Sequence, residues 1–279
     1  MAANPLVQSL AVSRAASKYL RYLFGYIGTS QHPRGRILGA YRNARRGMKD
    51  ALQKGGTQAA SEVLNGLQYE VDAVLTRTLQ NAKQKGIDTA AKELEIYSEE
   101  VYPVPLNITN EKMAVMAYLL QQITVVKSML ALGADEALII GDDTRLGVLQ
   151  PAPIAKEASN WIAAALWGGF NEVVVGVPEA VKYQKQAVAV LAENTTDCCL
   201  QVHGQIRDLD EPFDLTGTPR YADKQDWPGF HWWCRTSGVL YKKEFDFDLT
   251  DKMKAGAKMV MAEREAGKNI TRRPADAFY

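Results

Sequence analysis

Gln186-Ala-Val-Ala-Val-Leu-Ala-Glu-Asn-Thr-Thr-Asp-Cys-Cys-Leu-Gln-Val-His-Gly-Gln-Ile206 passes from strand chemistry to helix chemistry within one short stretch. The apolar, β-branched run Gln186–Glu193 predicts a buried strand. Thr196 or Asp197 can then cap a short helix, which Gly204 ends with its backbone at positive φ. A small mixed α/β module therefore begins near residue 183. On that helix Cys199 and His203 stand four apart and share a face, whereas Cys198 points away from it. Further along, Pro228-Gly-Phe-His-Trp-Trp-Cys-Arg235 places His231 and Cys234 three apart, the tight spacing of a metal knuckle.

Together Cys199, His203, His231 and Cys234 make a Cys₂His₂ set, which closes a tetrahedral structural zinc site with no open position. The 27 residues between His203 and His231 are more than a zinc finger uses. Three other chemistries suit the same residues. Buried cysteines and histidines can simply pack and hydrogen-bond without metal. Cys199 with His231 and Asp197 would make a nucleophile and base, although no oxyanion hole is marked in the sequence. A catalytic zinc would add Asp210 or Glu211 as a general base.

Upstream, the chain reads as helix. Apolar residues recur at three- and four-residue steps over residues 5–27, 36–54 and 57–85, with Gly55-Gly56 and Gly86 as stops and Asp88 as the cap of a further helix to Tyr97. Tyr19, Tyr22 and Tyr26 form a packing stripe, and His32-Pro33-Arg34-Gly35 is a surface turn. Val101–Pro105 is extended. A long apolar helix capped by Asn110 runs to Leu132, Ala137–Ile140 suits a short strand, and Asp142-Asp143 is a turn rather than a metal site. A helix over 154–170 ends in the extended Val173–Pro178. The expected fold is mainly α, a helical body with a small C-terminal α/β (α+β) module. Its segments are basic N-terminal helices (1–56), a helical body (57–182), the module (183–245), and a C-terminal helix from Asp251 to Glu265 with a basic tail (246–279).

The net charge of +1 conceals an asymmetry: residues 1–49 hold Arg14, Lys18, Arg21, Arg34, Arg36, Arg42, Arg45, Arg46 and Lys49 and no acid, which leaves −8 for the remainder. A basic arm on an acidic body points to nucleic acid or an acidic protein surface as partner. Three cysteines, two adjacent, make a poor disulfide framework and suggest a reducing compartment. We expect no membrane span, because charges interrupt every apolar run. No phosphate-binding loop of the Walker pattern and no Gly-x-Ser-x-Gly elbow occurs.

The order strand, Thr-x-x-x-Cys, His203-Gly204-Gln205, Asp210-Glu-Pro-Phe213 and His231-x-x-Cys234-Arg235 resembles the C-terminal module of Mu F-like minor head proteins of tailed phages. It covers about residues 183–241. The family pattern has a further cysteine where Thr196 stands, and a proline where Trp232 stands. The resemblance implies a non-enzymatic protein present in a few copies inside the phage head. It would contact portal or capsid protein, and packaged DNA through the basic N-terminus, in head morphogenesis and genome packaging or delivery. Its locations would be the virion and, during assembly, the host cytoplasm. Fewer than 40 residues follow Tyr241, too few for the toxin domain some relatives append. The alternative function is a zinc-dependent nuclease or hydrolase acting on nucleic acid.

Overall fold

Ala187, Val188 and Ala189 are all buried because their strand lies at the centre of a sheet with both faces covered. The computed structural model describes residues 4–24 (only the backbone of 20–24), 32–54, 56–141, 147–192, 194–220, 222–231 and 234–267. The fold is mainly α, with a small sheet in the C-terminal region. The helices are α1 Pro5–Phe24, α2 Pro33–Lys54, α3 Gly56–Ile96, α4 Thr109–Ala131, α5 Glu136–Ile140, α6 Pro151–Val175, α7 Asp197–Val202 and α8 Leu249–Glu265. The strands are β1 Gln184–Ala189, β2 Ile206–Asp208, β3 Phe213–Asp214, β4 Lys224–Gln225 and β5 Thr236–Tyr241.

Two compact units are each assembled from several stretches of chain. One comprises Met1–Arg21, Gln84–Pro105 and Leu166–Tyr279; the other comprises Tyr22–Lys83 and Leu106–Ala165. In the second unit α2 buries Ile37, Tyr41, Ala44 and Met48, and α4 buries Val115, Leu119, Ile123 and Val126. The Tyr41 hydroxyl donates to Gln122 Oε1 at 2.6 Å. By length and composition α4 is long and apolar enough to cross a membrane, and a third of its apolar window (33%) is buried within the fold.

The first unit holds the expected module. Its sheet is antiparallel in the order β2-β1-β5, and β3 and β4 form a separate two-stranded ladder. The alternation of β1 sends Val188 to one face, where it packs with Leu10 of α1, Val239 and Met253 of α8. Ala187 and Ala189 face the other way, into a cluster with Cys198, Cys199, Val202, Phe213, Phe230 and Cys234. The outer edge of β5 is covered by side chains. Ser13 donates to Gly238 O, Ser17 to Thr236 O at 3.2 Å and Tyr97 to Leu240 O at 3.2 Å, while Leu240 N–H donates to Glu93 Oε2 at 2.8 Å. An edge closed in this way cannot recruit a foreign strand.

Four expectations about the helices are corrected. Gly86 does not stop a helix: α3 runs unbroken for 41 residues. Its glycine serves close packing instead, because a Cβ at Gly86 would stand 1.8 Å from the Leu166 carbonyl oxygen of α6. Gly86→Ala should therefore destabilise this unit by about 1–3 kcal/mol or more, read as a lower urea midpoint; an unchanged midpoint would mean the crossing is loose. The segment at Ala137–Ile140 is helical, started by Asp135, whose carboxylate accepts Ala137 N–H at 2.8 Å. Helix α6 continues to Val175 through the stretch expected to be extended. At α4, Asn110 lies inside the first turn and Asn107 Oδ1 accepts Thr109 N–H at 3.0 Å. The Asp142-Asp143 turn and the basic tail with Arg272 and Arg273 lie outside the described residues.

Candidate metal centre

Helix α7 is six residues long and sits between β1 and β2, so its first turn faces the loop that leads into β5. That loop is fixed by aromatic packing. Trp167 Nε1–H donates to Pro228 O at 2.6 Å, and the Trp167 and Trp227 rings stack at 5.2 Å and 7°. The other side of Trp227 needs a residue without a side chain: a Cβ at Gly238 would lie 2.9 Å from the indole. Lys185, fully buried on β1, completes the layer with its ammonium 4.8 Å over Trp227 and donating to Leu209 O at 2.9 Å. Burial lowers its pKa, opposed by nearby Asp226, Asp210 and Glu211.

Held so, the loop delivers His231 to α7. Its Nε2 lies 3.0 Å from Cys199 Sγ and 2.8 Å from Thr196 Oγ1, and Thr196 Oγ1 is 3.2 Å from Cys198 Sγ. Thr196 is the N-cap residue of α7 but makes no capping bond, because its hydroxyl is turned onto the imidazole and the thiol. Cys234 brings a third thiol, 3.8 Å from Cys199 Sγ. The ligand atoms of Cys198, Cys199 and His231 all lie within 4.8 Å of one another, and this cluster could hold a metal ion. Cys198, Cys199 and Cys234 are free thiols and buried.

Of the four residues expected to converge, Cys199, His231 and Cys234 do. His203 does not join them. Helix α7 ends at Val202, and His203 has ψ 117°, so the four-residue spacing from Cys199 no longer means a shared face. Its Nδ1 instead accepts Ala189 N–H at 2.9 Å, tying α7 to the end of β1. Burial, helped by the charge of Arg14, lowers the His203 pKa to about 4 and keeps the ring neutral. In its place Cys198, expected to point away, belongs to the cluster. In the first turn of so short a helix, two adjacent small side chains can both reach a ring arriving from outside.

The thiols differ in acidity. Hydrogen bonding from Cys199, then Thr196 and the positive field of His231, draws the Cys198 thiol down to about 6 despite burial. Cys199 is held well above the usual thiol range, first by its bonds to Cys198 and Cys234 and then by burial. Burial opposes ionisation of Cys234, but bonds from Cys199 and His231 outweigh it and hold the thiol low. Thiolate is the form that ligates metal. For a zinc tetrahedron, two sulfurs at about 2.3 Å from the ion stand about 3.8 Å apart, which matches the Cys199–Cys234 separation of 3.8 Å.

The nine basic residues of the N-terminal arm are divided by the fold. Arg14 and Lys18 lie on α1 in the first unit, and the side chain of Arg21 lies outside the described residues. Arg34, Arg36, Arg42, Arg45, Arg46 and Lys49 belong to α2 in the second unit. Arg45 is partly buried and donates to Ile140 O, while Arg36, Arg42, Arg46 and Lys49 are exposed. Comparison of the chain with protein-family models, with curated proteins and with solved structures gives no match.

Proposed function

We propose that this chain is a structural minor head protein of a tailed phage, held inside the head near the portal and acting in head assembly and genome packaging or delivery. The observation that carries the reading is the buried Cys198–Cys199–His231 cluster with Cys234 beside it, inside the stretch that resembles the Mu F-like module. Cys198 is 0% exposed, Cys199 1% and Cys234 7%. Sulfur ligands so enclosed suit a structural zinc, which fastens α7 to the β5 loop, with His231 half-buried beside them. That enclosure weighs against the zinc-dependent nuclease or hydrolase. Thr196, where the family pattern carries a cysteine, lies against His231, and Cys198 supplies the thiol that its position lacks. Portal or capsid protein is the expected neighbour.

Quantitative mass spectrometry of gradient-purified phage particles tests the role. A few copies per particle is the expected result. Absence from particles, with abundance in the lysate, would overturn it.

A further inference from the structure

The arm's charge is not spread evenly over α2. Arg42, Arg46 and Lys49 follow one another at four- and three-residue steps, so they share one side of the helix within a 60° arc. All three are exposed. The opposite side buries Ile37, Tyr41, Ala44, Met48 and Ala51, which fixes the helix in its unit and the cations in a row. Three other long cations of this unit are engaged: Arg45 on Ile140 O, Lys112 on Asp72 at 2.8 Å, Lys127 on Asn65 at 3.2 Å. No ion pair involves Arg42, Arg46 or Lys49 among the described residues. Asp50, the one acid of α2, stands one turn after Arg46 and 40° beyond it round the helix, and makes no ion pair with it among the described residues. One turn before Arg42 the same side carries Gly39, with open space where its side chain would be.

We propose that the Arg42–Arg46–Lys49 side of α2 is a rail for the sugar–phosphate backbone of duplex nucleic acid. This rests on the proposed head role only for the source of the duplex, packaged DNA. Seven residues of helix rise about 10 Å, close to the axial rise of three phosphates on one strand at about 3.4 Å each. Two arginine forks and a lysine are suited to phosphate oxygens. Gly39 leaves room for the strand to continue along the helix without a clash. The rail reads no sequence: the aromatic nearest it in the chain, Tyr41, is buried and bonded to Gln122, so nothing here stacks on a base. Duplex DNA, which hides its bases, loses nothing by this.

Fluorescence anisotropy of the full chain with a labelled random-sequence duplex, titrated across salt, tests the rail. Three phosphate contacts predict a slope of about −2.7 in log affinity against log salt, roughly a 40-fold loss between about 50 and 200 mM. The R42Q/R46Q/K49Q variant should lower that slope by about one per residue removed and weaken binding at low salt by tenfold or more, while melting as the native chain does. Lys18→Gln, on the other unit, should leave this behaviour unchanged. If the native chain binds duplex and the triple variant binds equally well, the rail is wrong and the DNA-binding reading survives. If the native chain ignores duplex but binds polyglutamate through the same three residues, the partner is an acidic protein and the proposal falls. Neither result touches the particle measurement above.

Discussion

Glu93→Gln is expected to fold normally and to remove most of the stability that the native chain loses between about pH 5 and pH 8. The reason is a count of protons at the covered edge of β5. Glu93 is fully buried, with no lysine or arginine in its hydrogen-bond set. Leu240 N–H donates to its Oε2 at 2.8 Å, and Ser13 Oγ stands 2.5 Å from its Oε1. Ser13 has a single hydroxyl proton, and the Gly238 carbonyl beside it can only accept. With that proton on the carbonyl, the short contact to Ser13 is completed by a proton on Glu93 itself. Burial drives the same way and raises the carboxyl pKa to about 8, against the lowering effect of its hydrogen bonds.

The sign follows from linkage. A folded pKa above the unfolded one stabilises fully below the unfolded value, near 4.5, and the contribution disappears as pH rises through about 8. The difference is on the order of 4–5 kcal/mol across that window. Glutamine keeps both bonds without a titrating group: its NH₂ donates to Ser13 Oγ and its carbonyl accepts Leu240 N–H. Glu93→Ala, by contrast, leaves a buried strand N–H unpaired at a cost of about 1–3 kcal/mol at every pH. Urea unfolding followed by tryptophan fluorescence at several pH values measures both. An equal pH slope in the native chain and Glu93→Gln would show that Glu93 is not the group responsible.

The helical class and the module's element order were readable because periodicity, caps and alternation are local signals. Asp197 onward reads as a helix, as observed, and Gln186–Glu193 as a strand, which lies instead at Gln184–Ala189 and ends four residues sooner. What failed locally was decided by partners distant in sequence. Gly86 has the composition of a helix stop, but its lack of a side chain answers the backbone of Leu166, 80 residues away. Ile139 and Ile140 have strand character, yet the Asp135 cap and their own burial make one helical turn. At the site, residue type was informative and helical spacing misled. The spacing from Cys199 to His203 presumes a helix that has already ended, while Cys198, inside the first turn of α7, lies within 4.8 Å of the same imidazole although it leaves the helix in a different direction from Cys199. Ser9, Ser13 and Ser17, buried at four-residue spacing on α1, were the available sign of a polar face inside the fold.

Zinc content separates the two candidate ligand sets. Cys198→Ser is expected to lose most of its zinc and His203→Gln to keep it, because the first residue lies in the cluster and the second is bonded to Ala189. Cys199→Ser and Cys234→Ser should lose it as well, since one sulfur pair already has a tetrahedral edge length. His231→Ala should lower both zinc content and stability while creating no change in any rate, because the imidazole bridges α7 and the β5 loop. The loss of stability on chelation should be several kcal/mol, below the roughly 10–16 kcal/mol of a zinc-finger peptide. The module differs from such a peptide in having its own sheet and the cluster around Phe213 and Phe230, so part of its fold persists without metal. Retention should weaken as pH falls, because thiolates must be reprotonated for the ion to leave. Elemental analysis of each purified variant, paired with its melting temperature, gives the answer. Full zinc in Cys198→Ser with loss in His203→Gln would restore the set expected from spacing. A chain purified without reductants or chelators that carries no zinc at all would reduce the cluster to hydrogen-bonded packing.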